Sequence, residues 1–181
     1  RLGFNENLHA LRGEGLRSMP PGARTVLSAG CAGSWYFRWI AENYPGIERH
    51  IGLEAYSPKP DDLPQGVEWI ANTVSDMQAV ADASIDLLFS GQNIEHLVEQ
   101  EIAGFLCEAR RVVAPGGWLV LDSPNRAMTQ RLGWFQPEHI IELTVDEIRE
   151  LVELAGFDVV SITGLWQCYD PVRHRLLPLD P

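Results

Sequence analysis

Apolar positions in this chain fall into two alternating rhythms. Short apolar runs at 25–29, 48–53, 67–72, 85–90, 118–122 and 157–162 read as strands, each bounded by Gly, Pro, Asn or Asp. Between several of them the apolar residues recur at helical spacing, most clearly over 99–113 and 145–155, and a first helix is predicted over 7–18, closed by Pro20-Pro21-Gly22. Strand and helix in alternation predict an α/β fold with a doubly wound, mostly parallel Rossmann-like sheet. The link through Gly164 is too short for a crossover, so 165–169 is expected to return as a C-terminal antiparallel strand beside 157–162. One domain is expected over 1–181, with an N-terminal helix and linker at 1–23, a core at 24–170 and a tail at 171–181.

Local signals fix the register. Ala114-Pro115-Gly116-Gly117 ends a helix and leads into a strand, and Thr144 with Glu147 three residues on forms a capping box that starts the last long helix. Pro58, Pro60 and Pro64 between the second and third strands reduce the usual crossover helix to a turn.

The first strand runs into Ala29-Gly30-Cys31-Ala32-Gly33, a small-residue turn that opens a helix. Such a turn lets a ligand lie against bare backbone N–H groups at the positive end of a helix. The dinucleotide fingerprint does not fit: its glycine places, counted from Gly30, hold Gly30, Ala32 and Trp35, and Trp35 excludes the close packing that the last glycine permits.

Charge narrows the partners. Lys and Arg number 14 against 25 Asp and Glu, a formal charge of −11, which argues against nucleic acid or an anionic membrane surface. No apolar run approaches the roughly 18–20 residues of a membrane span, and no signal peptide is evident. Cys31, Cys107 and Cys168 suggest neither a disulfide framework nor a zinc knuckle, so a reducing, cytoplasmic setting is expected. The start at Arg1 in place of Met leaves room for further chain.

The order of these signals resembles the class I S-adenosylmethionine-dependent methyltransferases, in particular their small-molecule, type 11-like members with a degenerate glycine-rich motif. The resemblance runs from Arg24 to about Tyr169 and is carried by the turn, Glu54, Asp76, Ser84–Gly91, Ile94-Glu95-His96-Leu97 and Arg111–Gly117. It implies S-adenosylmethionine as cofactor, with Ala29, Gly30, Cys31, Ala32 and Gly33 along its methionine end. It further implies Glu54 on the ribose hydroxyls, Asp76 and Met77 flanking the adenine, and Ser90, Gly91 and Gln92 beside the sulfonium. Ser28, Ala32 and Ser34 depart from the family pattern, standing where an acid and two glycines are usual.

Methyl transfer from a sulfonium mainly needs alignment, dryness and sometimes a base. His96, beside Glu95, and His139 are the candidate bases, each weighed against a purely structural role. A divalent metal is not expected, because Gln92 stands where relatives of this fold that bind one would place a carboxylate. Residues 126–137, with Met128, Leu132, Trp134 and Phe135, are the candidate acceptor wall or lid, whereas 122–125 reads as a turn. The resulting expectation is methyl transfer to a small-molecule acceptor, at oxygen. The alternative is a catalytically inactive methyltransferase-like scaffold domain of a longer protein.

Overall fold

In a computed structural model, residues 12–13, 19–164, 168–170 and 175–177 are described. They divide into two compact units, Pro20–Val159 and a second formed by Arg1–Met19 with Val160–Pro181. Arg12 and Gly13 are helical; the rest of the helix predicted over 7–18 and most of the tail at 171–181 lie outside the described residues.

The larger unit is built on a five-stranded sheet in the order β3-β2-β1-β4-β5, with β1 Thr25–Ala29, β2 Arg49–Leu53, β3 Val67–Ile70, β4 Ile85–Gly91 and β5 Val113–Asp122. Every pairing in it is parallel. Chain order reverses across the β1–β4 boundary, the position at which open parallel sheets leave a crevice at their carboxyl ends.

Helix α1 (Trp35–Asn43) links β1 to β2 and buries Phe37 and Ile40 completely. Gly52 of β2 lacks the Cβ that would lie 2.7 Å from Phe37 and 2.9 Å from Trp69, so the three pack in contact. Helix α2 (Glu99–Val112) links β4 to β5 and lays Ile102, Phe105, Leu106, Ala109 and Val112 on the sheet. Glu101 Oε2 accepts the Val98 N–H at 3.0 Å and caps its first turn.

Neither connection to β3 is helical. The proline-bearing stretch at 54–66 forms turns, as its sequence predicts, and so does 71–84. The second stretch replaces a helix by inserting Val74, Met77 and Val80 into the core. It is pinned to α2 from outside: the Arg111 guanidinium donates to the Met77 and Val80 carbonyls at 2.9 Å each, and Glu108 accepts the Met77 N–H at 2.7 Å.

The β4–β5 ladder is interrupted. Ile85 faces Val113 while Leu87 faces Trp118, so 114–117 bulge out, and Gly117 passes so near the Ile85 carbonyl that a Cβ would stand 2.9 Å from it. After β5 come α3 (Arg126–Arg131) and α4 (Val145–Leu154). The predicted capping box opens α4: Thr144 Oγ1 accepts the Glu147 N–H at 3.3 Å, and Glu147 Oε2 accepts the Thr144 N–H at 2.7 Å.

One expectation about the C-terminal region fails, and a second falls largely outside the described residues. Residues 157–162 form no strand: the Phe157 N–H donates to the Val152 carbonyl, closing the helix, and Phe157 and Val159 pack on the core without entering a ladder. Among the described residues β5 pairs only with β4; of the antiparallel strand expected over 165–169, residues 165–167 lie outside the described residues. The antiparallel pairing that does occur belongs to the smaller unit, where β6 (Cys168–Asp170) pairs with β7 (Arg175–Leu177). No helix among the described residues is long and apolar enough to cross a membrane.

Candidate active site

The turn after β1 is shaped by backbone geometry. Gly30 takes φ +64°, and its N–H donates to the Leu53 carbonyl at 2.9 Å. Ala32 takes φ +46°, a left-handed conformation that L residues other than Gly, Asn and Asp seldom adopt. Its N–H is turned onto Glu54 Oε2 at 2.9 Å. Glu54, only 7% exposed at the tip of β2, also accepts the N–H groups of Tyr56 (2.8 Å) and Ser57 (3.0 Å) on Oε1. Three backbone donors thus fix this carboxylate between two loops, and Oε2 keeps capacity for one more donor. Ala29 is buried in the core. Cys31 is buried with Sγ directed at the Leu53 carbonyl; burial, and then the Glu54 charge, push its thiol up to about 12, so it is not a nucleophile. Gly33 N–H donates to the Cys31 carbonyl.

A groove of about 300 Å³, open to solvent, lies at this edge, lined by Gly30, Glu54, Tyr56, Thr73, Ser75 and Asn93 among others. Asp76 and Met77 are not part of its wall. Asp76 closes a turn, donating its N–H to the Thr73 carbonyl at 3.1 Å, and Met77 is fully buried in the core. The wall on that side is Asn72–Ser75, directly upstream. At the end of β4, Ser90 Oγ donates to the Ala29 carbonyl at 2.9 Å and accepts from Asn93 Nδ2 at 3.1 Å. The Asn93 side chain lies over Gly30 so closely that a Cβ there would be 2.2 Å from its Cγ. Gly91 is roofed by Phe89 and Tyr36, each 2.8 Å from where its Cβ would stand. Gln92, at φ +53°, donates its N–H to the Asp122 carbonyl at 2.6 Å and its Nε2–H to Asp122 Oδ1 at 3.2 Å.

Beyond Gln92 a 3₁₀ turn, Ile94–His96, presents Glu95 and His96. Glu95 is fully buried; burial pushes its carboxyl up, while its backbone hydrogen bond, His96, His139 and the Ser123 hydroxyl pull the other way. The Glu95 carbonyl accepts the N–H groups of Ile140 (2.8 Å) and Ile141 (3.2 Å), which brings His139 alongside. The two imidazoles meet edge to face with centroids 5.1 Å apart. His96 Nδ1 bonds the Glu138 carbonyl at 2.9 Å, and His139 Nδ1 bonds Glu142 Oε1 at 2.6 Å. Trp134 packs on His139 at 5.8 Å, and Leu132, Trp134 and Phe135 leave large apolar surfaces exposed beside it.

A family of proteins described as "Methyltransferase domain" matches residues 27–121, just over half of the chain. The chain belongs to this family. The match runs from β1 to the end of β5 and so takes in the groove, Glu54 and the Glu95-His96 turn. The "Probable S-adenosylmethionine-dependent methyltransferase" of Mycolicibacterium smegmatis is 40% identical over 87 residues, which make up 47% of this chain and 33% of that protein. A Mycobacterium tuberculosis protein of the same description is 39% identical over 87 residues, 47% of this chain and 31% of that protein. The chain thus matches about a third of the length of these curated relatives. Among solved structures, an Archaeoglobus fulgidus S-adenosylmethionine-dependent methyltransferase superposes with a TM-score of 0.71 at 21% identity, covering 95% of this chain and 78% of that one. The Haloferax volcanii methyltransferase complexed with the activator Trm112 gives 0.69 at 19% identity, covering 88% and 73%. At these identities the structural likeness speaks for the fold.

The residues at the groove suit an adenosyl group, the kind of ligand that the names of these relatives imply for them. A fixed carboxylate lies at the crevice as acceptor for hydroxyl donors, and the Asn93 side chain lies in the space that a side chain at Gly30 would take. Sequence reasoning missed Asn93 and the Asn72–Ser75 wall. For the wall a signal existed, since a polar run directly after the third strand falls at the carboxyl edge of the sheet. Asn93 gave none, because its importance rests on which rotamer it adopts.

Proposed function

We propose that this chain transfers a methyl group from S-adenosylmethionine to a small-molecule acceptor, at oxygen. The observation that carries the reading is Glu54: a buried carboxylate, held by three backbone N–H groups, at the edge of an open groove where the sheet reverses direction. When bound, the cofactor supplies a methyl group on a leaving group that is already activated. The chain's own work is then to align, to keep water out and to take a proton. Glu54 would accept the ribose hydroxyls, Asn72–Ser75 would flank the base, and Ser90, Gly91 and Gln92 would bound the reactive end. With Nδ1 of His96 and His139 engaged by acceptors, Nε2 is the nitrogen of each ring that would take a proton from a hydroxyl acceptor. The exposed Trp134 and Phe135 supply an acceptor wall, and the acidic surface favours a neutral or cationic acceptor over nucleic acid.

One observation favours a second reading, that of a scaffold domain without turnover. Asn93 occupies the space above Gly30, and Ala32 and Ser34 stand where the resemblance implies glycines. Calorimetric titration with S-adenosylhomocysteine separates the two. The enzymatic reading expects binding that Glu54→Gln weakens at least tenfold while the far-ultraviolet circular dichroism is unchanged. Absence of binding at millimolar ligand by a folded protein would establish the scaffold reading instead.

A further inference from the structure

We infer that Glu95, His96 and His139 form a binding site for a borderline divalent transition metal ion of the Zn²⁺ type. One ligand atom from each of the three lies within 4.8 Å of the other two. Neighbouring vertices of a tetrahedron with bonds of 2.0–2.1 Å are about 3.3 Å apart, a contraction within reach of side-chain rotation.

The histidines are set up as ligands by their outer partners. A backbone carbonyl can only accept, so the His96–Glu138 bond places a proton on Nδ1 and leaves Nε2 as the nitrogen able to ligate. The His139–Glu142 bond does the same, and Glu142 is itself held through its other oxygen by the Thr129 hydroxyl. Metal-binding imidazoles are commonly oriented in this way, by a carbonyl or carboxylate on the far nitrogen.

The third donor explains a cost. Glu95 Oε1 is buried without a hydrogen-bond partner, while Oε2 accepts the Ser123 hydroxyl at 3.2 Å. A buried polar oxygen left unsatisfied is unfavourable, and a cation beside it removes the penalty. The two bonds from Ile140 and Ile141 to the Glu95 carbonyl hold both ligand-bearing segments together before any ion arrives.

Ligand type selects the ion. Two imidazoles and one carboxylate suit Zn²⁺ and its neighbours and do not suit Mg²⁺ or Ca²⁺, which prefer oxygen shells. Gln92, whose amide is tied to Asp122, is not needed for such a set. Three protein ligands leave a fourth position for water or an acceptor oxygen, and His96 is exposed, which gives access.

The site's role rests on the methyltransferase reading. A hydroxyl on the metal would lose its proton to solvent, its oxygen would form the new bond to the methyl carbon, and the carbon–sulfur bond would break with its electron pair going to sulfur. In that case the metal, and not a free imidazole, would activate the acceptor.

Chelator-treated full chain titrated with ZnCl₂ by calorimetry tests the binding without cofactor or acceptor. The expected result is one Zn²⁺ per chain, no heat with MgCl₂, and at least tenfold weakening by His139→Ala and by Glu95→Gln. His96→Ala, at an exposed position, should weaken binding while leaving the melting temperature unchanged. CoCl₂ should give a visible ligand-field spectrum and quench Trp134, a quenching lost in His139→Ala. No Zn²⁺ binding, or binding indifferent to all three substitutions, overturns the site. Zn²⁺ binding without S-adenosylhomocysteine binding would uphold the metal site and sink the methyltransferase reading; the reverse pattern would do the opposite.

Discussion

At the scale of single residues, backbone conformation near the groove matters more than reactive chemistry. Gly30 combines a left-handed φ with a neighbour that leaves no space for a methyl group. Gly30→Ala should therefore cost about 2 kcal/mol in urea denaturation, from strain and overpacking together. Adding Asn93→Ala should recover part of that loss, because only the steric component depends on Asn93; a double-mutant cycle with no coupling would place the clash elsewhere. His50 offers a second case. It is buried on β2 against Phe37, bonded to Ser28 Oγ at 3.0 Å, and burial lowers its pKa to about 4 from 6.5. Below pH 6.5 the unfolded chain takes up a proton that the folded chain refuses, so stability falls with pH through the window from 6.5 to 4 and is fully present above it. Between pH 7 and 5 this residue should account for about 2 kcal/mol of lost stability, and His50→Gln should flatten that part of the profile. The place of Glu54 at the groove edge was legible, because it stands at the tip of the second strand; what it binds belongs to the proposal above. Met77 lies in the core and not on the groove wall, two places that sequence alone does not separate for an apolar residue after the third strand.

Among the elements, those that carry their own start and stop signals follow the sequence closely. Helix α4 has both halves of its box and ends at Gly156, which takes φ +89°. Thr144→Ala should cost about 1 kcal/mol, measured by denaturant titration, since the Glu147 N–H at the helix start loses its acceptor. The strands β1, β2 and β4 were likewise legible as apolar runs bounded by turns. Residues 157–162 misled because alternation records which side chains face a core, not whether a backbone partner exists to complete a ladder. β5 begins earlier than its apolar run at 118–122, since Val113 pairs with Ile85 ahead of the bulge and no pattern of side chains announces an interrupted register.

On the scale of the molecule, parallel order follows from alternation, but the uneven cover of the sheet does not. β1, β2 and β4 are almost wholly buried, whereas β3 is a half-buried edge with turns on either side of it. Amide hydrogen exchange should accordingly release Val67–Ile70 well before β1 and β4; equal protection would mean that the edge is covered by something else. The bidentate Arg49–Glu68 pair, with both N–O distances at 2.8 Å, is exposed and adds little to hold that edge. The proline-bearing turns beside β3 have a practical consequence for chemical biology. In the proposed cofactor pose the nucleobase would be bordered, among the described residues, by turns and the projecting ring of Tyr56 in place of a helix. On that pose, synthetic analogues enlarged on that rim should bind as tightly as S-adenosylhomocysteine in a calorimetric competition, which would make the domain a host for bump-and-hole labelling with no hole to carve.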